Sequence, residues 1–204
     1  MLGIVDYGMG NLRSVQKSFE RMGVDAQVLR HAEELRRADH LVVPGVGAFA
    51  DAIATLRRSH LDLAITDFIN SGKPVLGICL GLQLLMEVGH EDGEHRGLGV
   101  IRGDCVRFTV DATPLRLKVP HMGWNALDLN GRCPLFNNVP AGSYAYFVHC
   151  YHVRPADEAV IACRTNYGGP FVSAIWRDNL MATQFHPEKS QAVGAAMLQN
   201  FASF

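Results

Sequence analysis

The sequence predicts an α/β protein: a mostly parallel sheet flanked by helices, with an added antiparallel β portion. Two observations predict it. In the first half, apolar runs of strand length alternate with segments whose apolar residues recur at helical spacing, the pattern of a parallel sheet buried between helices. In the second half, Val100 to Val119 and Tyr144 to Phe185 are rich in β-forming residues and carry little helical periodicity.

Taken in order, Gly3-Ile4-Val5 is a short buried strand stopped by the glycine-rich Tyr7-Gly8-Met9-Gly10. Leu12, Val15, Phe19 and Met22 then predict an amphipathic helix closed by Gly23. Strands follow around Ala26 to Leu29 and His40 to Val43, the second ending in a turn at Pro44-Gly45-Val46-Gly47. Helical patterning runs from about Ala48 to Asn70 in two pieces and is closed by Ser71-Gly72. Pro74 to Ile78 is a continuous apolar run, as expected of a strand buried on both faces. Leu80 to Val88 reads as the next helix, and Gly89 to Gly97 as a polar surface loop. Phe171 to Thr183 predicts a hairpin turning at Asp178-Asn179. A final helix starts near Ser190, with Val193, Met197, Leu198 and Phe201 as its apolar stripe. No repeat, low-complexity tract or linker interrupts the chain, so residues 1–204 are expected to form one domain.

The composition narrows the classes of function. The chain has 204 residues, 48% of them hydrophobic, enough for one ordinary core. A formal net charge of -1 gives no electrostatic case for nucleic acid or for an anionic membrane surface. No basic segment precedes an apolar stretch at the N-terminus, and no apolar run approaches the roughly 18 residues that span a bilayer. A soluble, cytoplasmic protein is the expectation. The five cysteines are odd in number, widely spaced and without a C-x-x-C pair, which argues against a disulfide framework and against a thiolate zinc site. His149 and His152, read as one strand, fall on opposite faces, so no metal is expected there. No cofactor is expected.

Gly77-Ile78-Cys79-Leu80-Gly81 stands between the apolar strand and a helix. A nucleophile elbow needs that setting, with flanking glycines removing side chains that would clash across a sharp turn. The same segment also fits a buried cysteine between two packing glycines. As a nucleophile, Cys79 would gain from the helix N-terminus, and the Leu80 N–H would lie where an oxyanion could accept a hydrogen bond. Gln83 falls one helical turn along, suited to gripping a polar substrate. Downstream, Gln184-Phe185-His186-Pro187-Glu188 places His186 and Glu188 two apart in extended chain, on one side of it. Glu188 can then orient His186 while the other imidazole nitrogen serves Cys79. Pro44-Gly45-Val46-Gly47 is either a second source of oxyanion N–H groups or a simple tight turn.

These segments resemble the class I, triad-type glutamine amidotransferases. Asp6-Tyr7-Gly8-Met9-Gly10-Asn11, Pro44-Gly45-Val46-Gly47-Ala48-Phe49 and His121-Met122-Gly123-Trp124-Asn125 narrow the likeness to the glutaminase subunits of imidazole glycerol phosphate synthase, over nearly the whole chain. The resemblance implies a flavodoxin-like fold and a glutamyl thioester formed on Cys79, with His186 and Glu188 completing the triad. It puts Val46, Gly47 and Leu80 at the oxyanion, and Gln83 with the backbone of Cys150 and Tyr151 at the substrate's amino-acid end. It implies a heterodimer in which ammonia passes to a (β/α)8-barrel cyclase subunit, with Asn11, Met122, Trp124, Tyr146 and Lys189 at or near the interface. Two places depart from the family pattern: Cys150 stands where a serine or threonine is usual, and near His152 the family usually has a tyrosine or arginine. Competing readings are an amidotransferase with a different acceptor, a stand-alone cysteine hydrolase, and an inert binding subunit.

Overall fold

A computed structural model describes residues 1–109 and 117–204. The β-rich stretch anticipated from Val100 to Val119 therefore lies partly outside the described residues. The helices are α1 (Leu12–Glu20), α2 (Ala32–Leu35), α3 (Phe49–Arg58), α4 (Leu61–Asn70), α5 (Leu80–Leu84) and α6 (Gln191–Ala202). The strands of the first half are β1 (Leu2–Val5), β2 (Ala26–Leu29), β3 (His40–Gly45), β4 (Val75–Cys79), β5 (Met86–Gly89) and β6 (His95–Arg96). Those of the second are β7 (Ile101–Arg107), β8 (His121–Ala126), β9 (Asp128–Leu129), β10 (Tyr144–His149), β11 (Tyr151–Pro155), β12 (Ile161–Asn166), β13 (Pro170–Arg177) and β14 (Leu180–Thr183).

The main sheet runs β2-β1-β3-β4-β14-β13-β11-β7-β5-β6, with β12 on β13 and β9 on β12. From β2 to β14 every neighbouring pair is parallel. The order β2-β1-β3-β4 is the doubly wound, flavodoxin-like arrangement, in which ligands sit beyond the carboxyl ends of the strands. From β14 the sheet turns antiparallel through β13, β11 and β7, with β12 antiparallel on β13, the added portion expected from the sequence; β5 then joins β7 in parallel. β8 and β10 form a separate two-stranded antiparallel ribbon, pairing His121 with His149 and Trp124 with Tyr146.

Period-two geometry divides the core. Val5, Val43 and Val75 point to one face, against Phe49, Leu56, Ile65 and Phe68 of α3 and α4. Ile4, Val42 and Leu76 point to the other, against Val15 and Phe19 of α1 and Met197, Leu198 and Phe201 of α6. Each such fully buried side chain contributes about 1.5–3 kcal/mol by leaving water. His60, in a left-handed conformation at φ 57°, separates α3 from α4 and accounts for the two helical pieces.

Several elements differ from the sequence expectation. The helix expected over Leu80 to Val88 ends at Leu84, and the chain then enters β5, parallel to β7. The polar residues of 80–88 are Gln83 and Glu87, four apart, a spacing that fits a period of 3.6 and one of 2 alike. β3 runs on through Pro44 and Gly45, which pair with Ile78 and Cys79 where a turn was expected. The short α2 and β6 were not anticipated. Val193 is only partly buried, and Gly194 takes a buried place on the inner face of α6. Among the described residues, no helix is long and apolar enough to cross a membrane.

Candidate active site

Cys79 is the last residue of β4 and the cap of α5, at φ 55° and ψ -104°, a backbone region that non-glycine residues rarely adopt. The flanking glycines make that turn possible. A Cβ on Gly81 would fall onto the Val43 carbonyl oxygen, and one on Gly77 would come within 3.0 Å of the Gly81 backbone and of the Ala182 side chain. The turn is therefore an elbow built by close strand-to-helix contact, as the sequence predicts. The helix it opens is only five residues long, so its dipole is slight, and the polar groups around the sulfur are side chains.

Those side chains arrive at the end of β14. His186 is 2% exposed, and its Nδ1 lies 2.8 Å from Glu188 Oε1, whose own side chain is buried. His186 Nε2 makes no hydrogen bond of good geometry, yet it lies near enough to Cys79 for a thiolate there to act on it. Burial opposes a charge on His186, but the Cys79 sulfur and the Glu188 carboxylate outweigh it and hold the imidazole well above its usual range. Gln184 Nε2 lies 3.6 Å from Cys79 Sγ, and Gln184 Oε1 accepts a hydrogen bond from Gln83 Nε2 at 3.2 Å. By contrast, burial pushes the thiols of Cys133 and Cys163 up to about 12 and also raises Cys105, as in inert core cysteines.

Cys79 opens into a cavity of about 330 Å³ lined by Val46, Gly47, Leu80, Gln83, Glu91, Pro120, Val148, His149, Cys150 and Tyr151. Every residue that the sequence assigned to the oxyanion or to the substrate is on that wall. Gln83 also donates to the Tyr151 carbonyl at 3.1 Å. Glu91, which sequence reasoning missed, is the cavity's acidic side chain, and its Oε2 accepts from the Phe49 N–H at 2.6 Å. A lone acid in a polar loop carries no sequence signal. Gln184 was also missed, although it stands two residues before His186 and so shares its side of the extended chain.

A single family model, glutamine amidotransferase class-I, matches residues 3–203. The chain belongs to that family. Relatives of this class I glutamine amidotransferase include imidazole glycerol phosphate synthase subunit HisH of Rhodopirellula baltica, 55% identical over 100% of this chain and 97% of its own length. The subunit of the same name from Aquifex aeolicus is 48% identical over 97% of this chain and 94% of its own. Among solved structures, a glutamine amidotransferase superposes with a TM-score of 0.76 at 19% identity, covering 100% of this chain and 99% of the other. PurLQS from Thermotoga maritima gives 0.75 at 16% identity over 99% and 97%. At such identities these two establish the amidotransferase fold alone.

The interface residues implied by the resemblance fall into one group with an outlying member. Met122 and Trp124 on β8 are large apolar side chains left 62% and 46% exposed. The Trp124 ring lies 6.1 Å from that of Tyr146 across the ribbon, and Lys189 Nζ stands 5.8 Å from the Tyr146 ring centre. Asn11 is exposed and caps α1 by accepting from the Ser14 N–H, and α1 packs against the Pro187–Lys189 turn. The metal argument needs a corrected premise. His149 ends β10 and His152 belongs to β11, so they do not alternate along one strand; both rings pack on Phe108, at 5.1 and 4.8 Å. Among the described residues, no group of His, Cys, Asp and Glu is arranged to hold a metal ion.

Proposed function

We propose that this class I glutamine amidotransferase is the glutaminase subunit of an imidazole glycerol phosphate synthase, with residues 1–204 acting as one catalytic domain. The observation that carries the chemistry is the cavity where Cys79, backed by Gln184 and the His186–Glu188 pair, meets Val46, Gly47 and Leu80. The acceptor reading is supported by the 55% identity to a HisH subunit across the full chain.

In this mechanism the Cys79 thiolate attacks the side-chain amide carbon of glutamine. Backbone N–H groups at Leu80 and along Val46–Gly47 receive the charge that develops on the carbonyl oxygen. His186, held protonated by its neighbours, gives its proton to the departing nitrogen; ammonia leaves and a glutamyl thioester remains. His186 then takes a proton from water, whose oxygen attacks the thioester and releases glutamate and the thiolate. Glu91 suits the substrate's ammonium group, while Gln83 and the backbone of Cys150 and Tyr151 hold the rest of the amino-acid end. Ammonia passes to a (β/α)8-barrel cyclase subunit, yielding imidazole glycerol phosphate and aminoimidazole carboxamide ribotide. Asn11, Met122, Trp124, Tyr146 and Lys189 form the docking face of the heterodimer. The exposed Met122 and Trp124 favour this over a stand-alone cysteine hydrolase, which has no use for such a face.

The test is co-purification with a cyclase barrel, followed by turnover assays of the assembled pair. Cys79→Ala is expected to abolish glutamine-dependent product formation while sparing turnover on free ammonium. Loss of both activities would contradict the separation of roles, and failure to bind any such barrel would contradict the partner.

A further inference from the structure

Two histidines lie between the exposed ribbon and the Cys79 cavity, and the mechanism above uses neither. His121 and His149 are 3% and 6% exposed. His121 Nδ1 is 3.0 Å from His149 Nε2, His149 Nδ1 is 2.8 Å from the Tyr151 carbonyl oxygen, and Asn125 Nδ2 is 3.2 Å from His121 Nε2.

The proton positions follow from both ends of this chain. A carbonyl oxygen only accepts, so His149 must carry its proton on Nδ1. At the other end, Asn125 Nδ2 also donates to the Asn166 carbonyl at 2.9 Å, which fixes that amide's orientation and makes it a donor to His121 Nε2 as well. His121 must therefore carry its proton on Nδ1 too. The middle contact then joins one N–H to one bare nitrogen, so the two assignments agree. A second proton on His149 would set N–H against N–H in the middle contact, and one on His121 would set it against the Asn125 amide. The chain runs one way, from Asn125 through His121 and His149 to the Tyr151 carbonyl, with both rings neutral.

That carbonyl also receives Gln83 Nε2 at 3.1 Å, and Gln83 Nε2 continues to Gln184, which reaches Cys79 Sγ. We propose that His121 and His149 are positioning residues for the glutamine site: the pair locks the Tyr151 carbonyl, and with it Gln83, and anchors both on strand β8. This rests on the reading of the cavity as the glutamine site. Ring packing alone does not call for histidine. His121 stacks on Phe147 and Tyr167 at 4.7 and 4.0 Å, contacts that a phenylalanine would also make. Only the hydrogen bonds demand imidazole.

The experiment compares His149→Phe, which keeps the ring and loses the donor, with His149→Asn, whose amide nitrogen can replace Nδ1. Iodoacetamide alkylation of Cys79 in the full chain, followed by peptide mass mapping, reads the nucleophile without substrate; protection by glutamine reads the site. His149→Phe is expected to raise the half-protecting glutamine concentration about tenfold, the cost of one buried hydrogen bond. His149→Asn should restore protection to within about threefold of wild type. Nitrogen-15 shifts of the wild-type rings should place both protons on Nδ1. Normal protection in His149→Phe, equal weakness in a folded His149→Asn, or an Nε2 proton on either ring would each overturn the proposal. A wild-type chain that glutamine does not protect would instead bring down the reading of the cavity beneath it.

Discussion

His186 and the His121–His149 pair are all nearly fully buried, yet protonation is driven in opposite directions at the two places. Beside the elbow, Cys79 and Glu188 overcome the cost of burial and hold His186 above its ordinary range. Behind the ribbon, burial prevails, and the values fall to about 4 for His121 and about 3 for His149. The neighbouring Tyr151 carbonyl favours a charge on His149, but the surrounding histidines act with burial against it. Burial is common to both regions, so the difference lies in what each ring meets. A sulfur and a carboxyl group beside one ring favour its protonated form. A neutral imidazole, the Tyr151 carbonyl and the Asn125 amide make a fixed hydrogen-bonded brace.

The comparison can be broken most severely at the elbow. Gly81→Ala puts a methyl group onto the Val43 carbonyl, so it should cost about 1–3 kcal/mol of stability and lower glutamine hydrolysis at least about 100-fold. Chemical denaturation and a glutamate-release assay measure the two losses. Acid probes the ribbon. The unfolded chain binds protons at His121 and His149 as pH falls below about 6.5, whereas the folded chain does not until about 4 or lower. Stability is therefore present above pH 6.5 and lost through that window, by about 1.4 kcal/mol per pH unit for each histidine. Urea midpoints taken from pH 7 to pH 4 read this slope, and His121→Phe with His149→Phe should flatten it.

His186 carries the opposite sign: its raised value contributes stability that is complete below pH 6.5 and is lost progressively as pH rises from there to about 10. Glu188→Gln removes one of its two supports, so kcat for glutamine should fall about tenfold or more, with the alkaline limb of the pH profile moving to lower pH. A profile that does not move would mean Glu188 acts only as a prop. The smallest effect is expected at Cys150, which lines the cavity beside Tyr151. Cys150→Ser should leave kcat/KM within about twofold, because the reading assigns only its backbone to the substrate.

The elbow and the ribbon were also unequally legible. Strand, Gly-x-Cys-x-Gly and helix are contiguous, and His186 and Glu188 are two residues apart, so spacing alone exposes the geometry. The parallel sheet was equally open, since β1, β3 and β4 are unbroken apolar runs. Local pattern failed at residues 80–88, where Gln83 and Glu87, four apart in an apolar run, fit helix and strand alike and concealed the change from α5 to β5. It failed for Glu91, which resembles any solvated loop acid until the fold turns it into the cavity. It could not reveal the His121–His149 pair either, because 28 positions and the register of two strands separate the rings. Misreading His149 and His152 as one strand had the same origin, since the chain turns at Cys150 between β10 and β11.

The strained backbone at Cys79 also has an evolutionary consequence. A non-glycine residue at φ 55° and ψ -104° costs about 1–3 kcal/mol, a burden that glycine would not carry. Selection for folding alone would not favour that strain, since glycine meets this backbone conformation without it. On the reading of Cys79 as the nucleophile, demand for the reaction is what keeps a cysteine at this strained position.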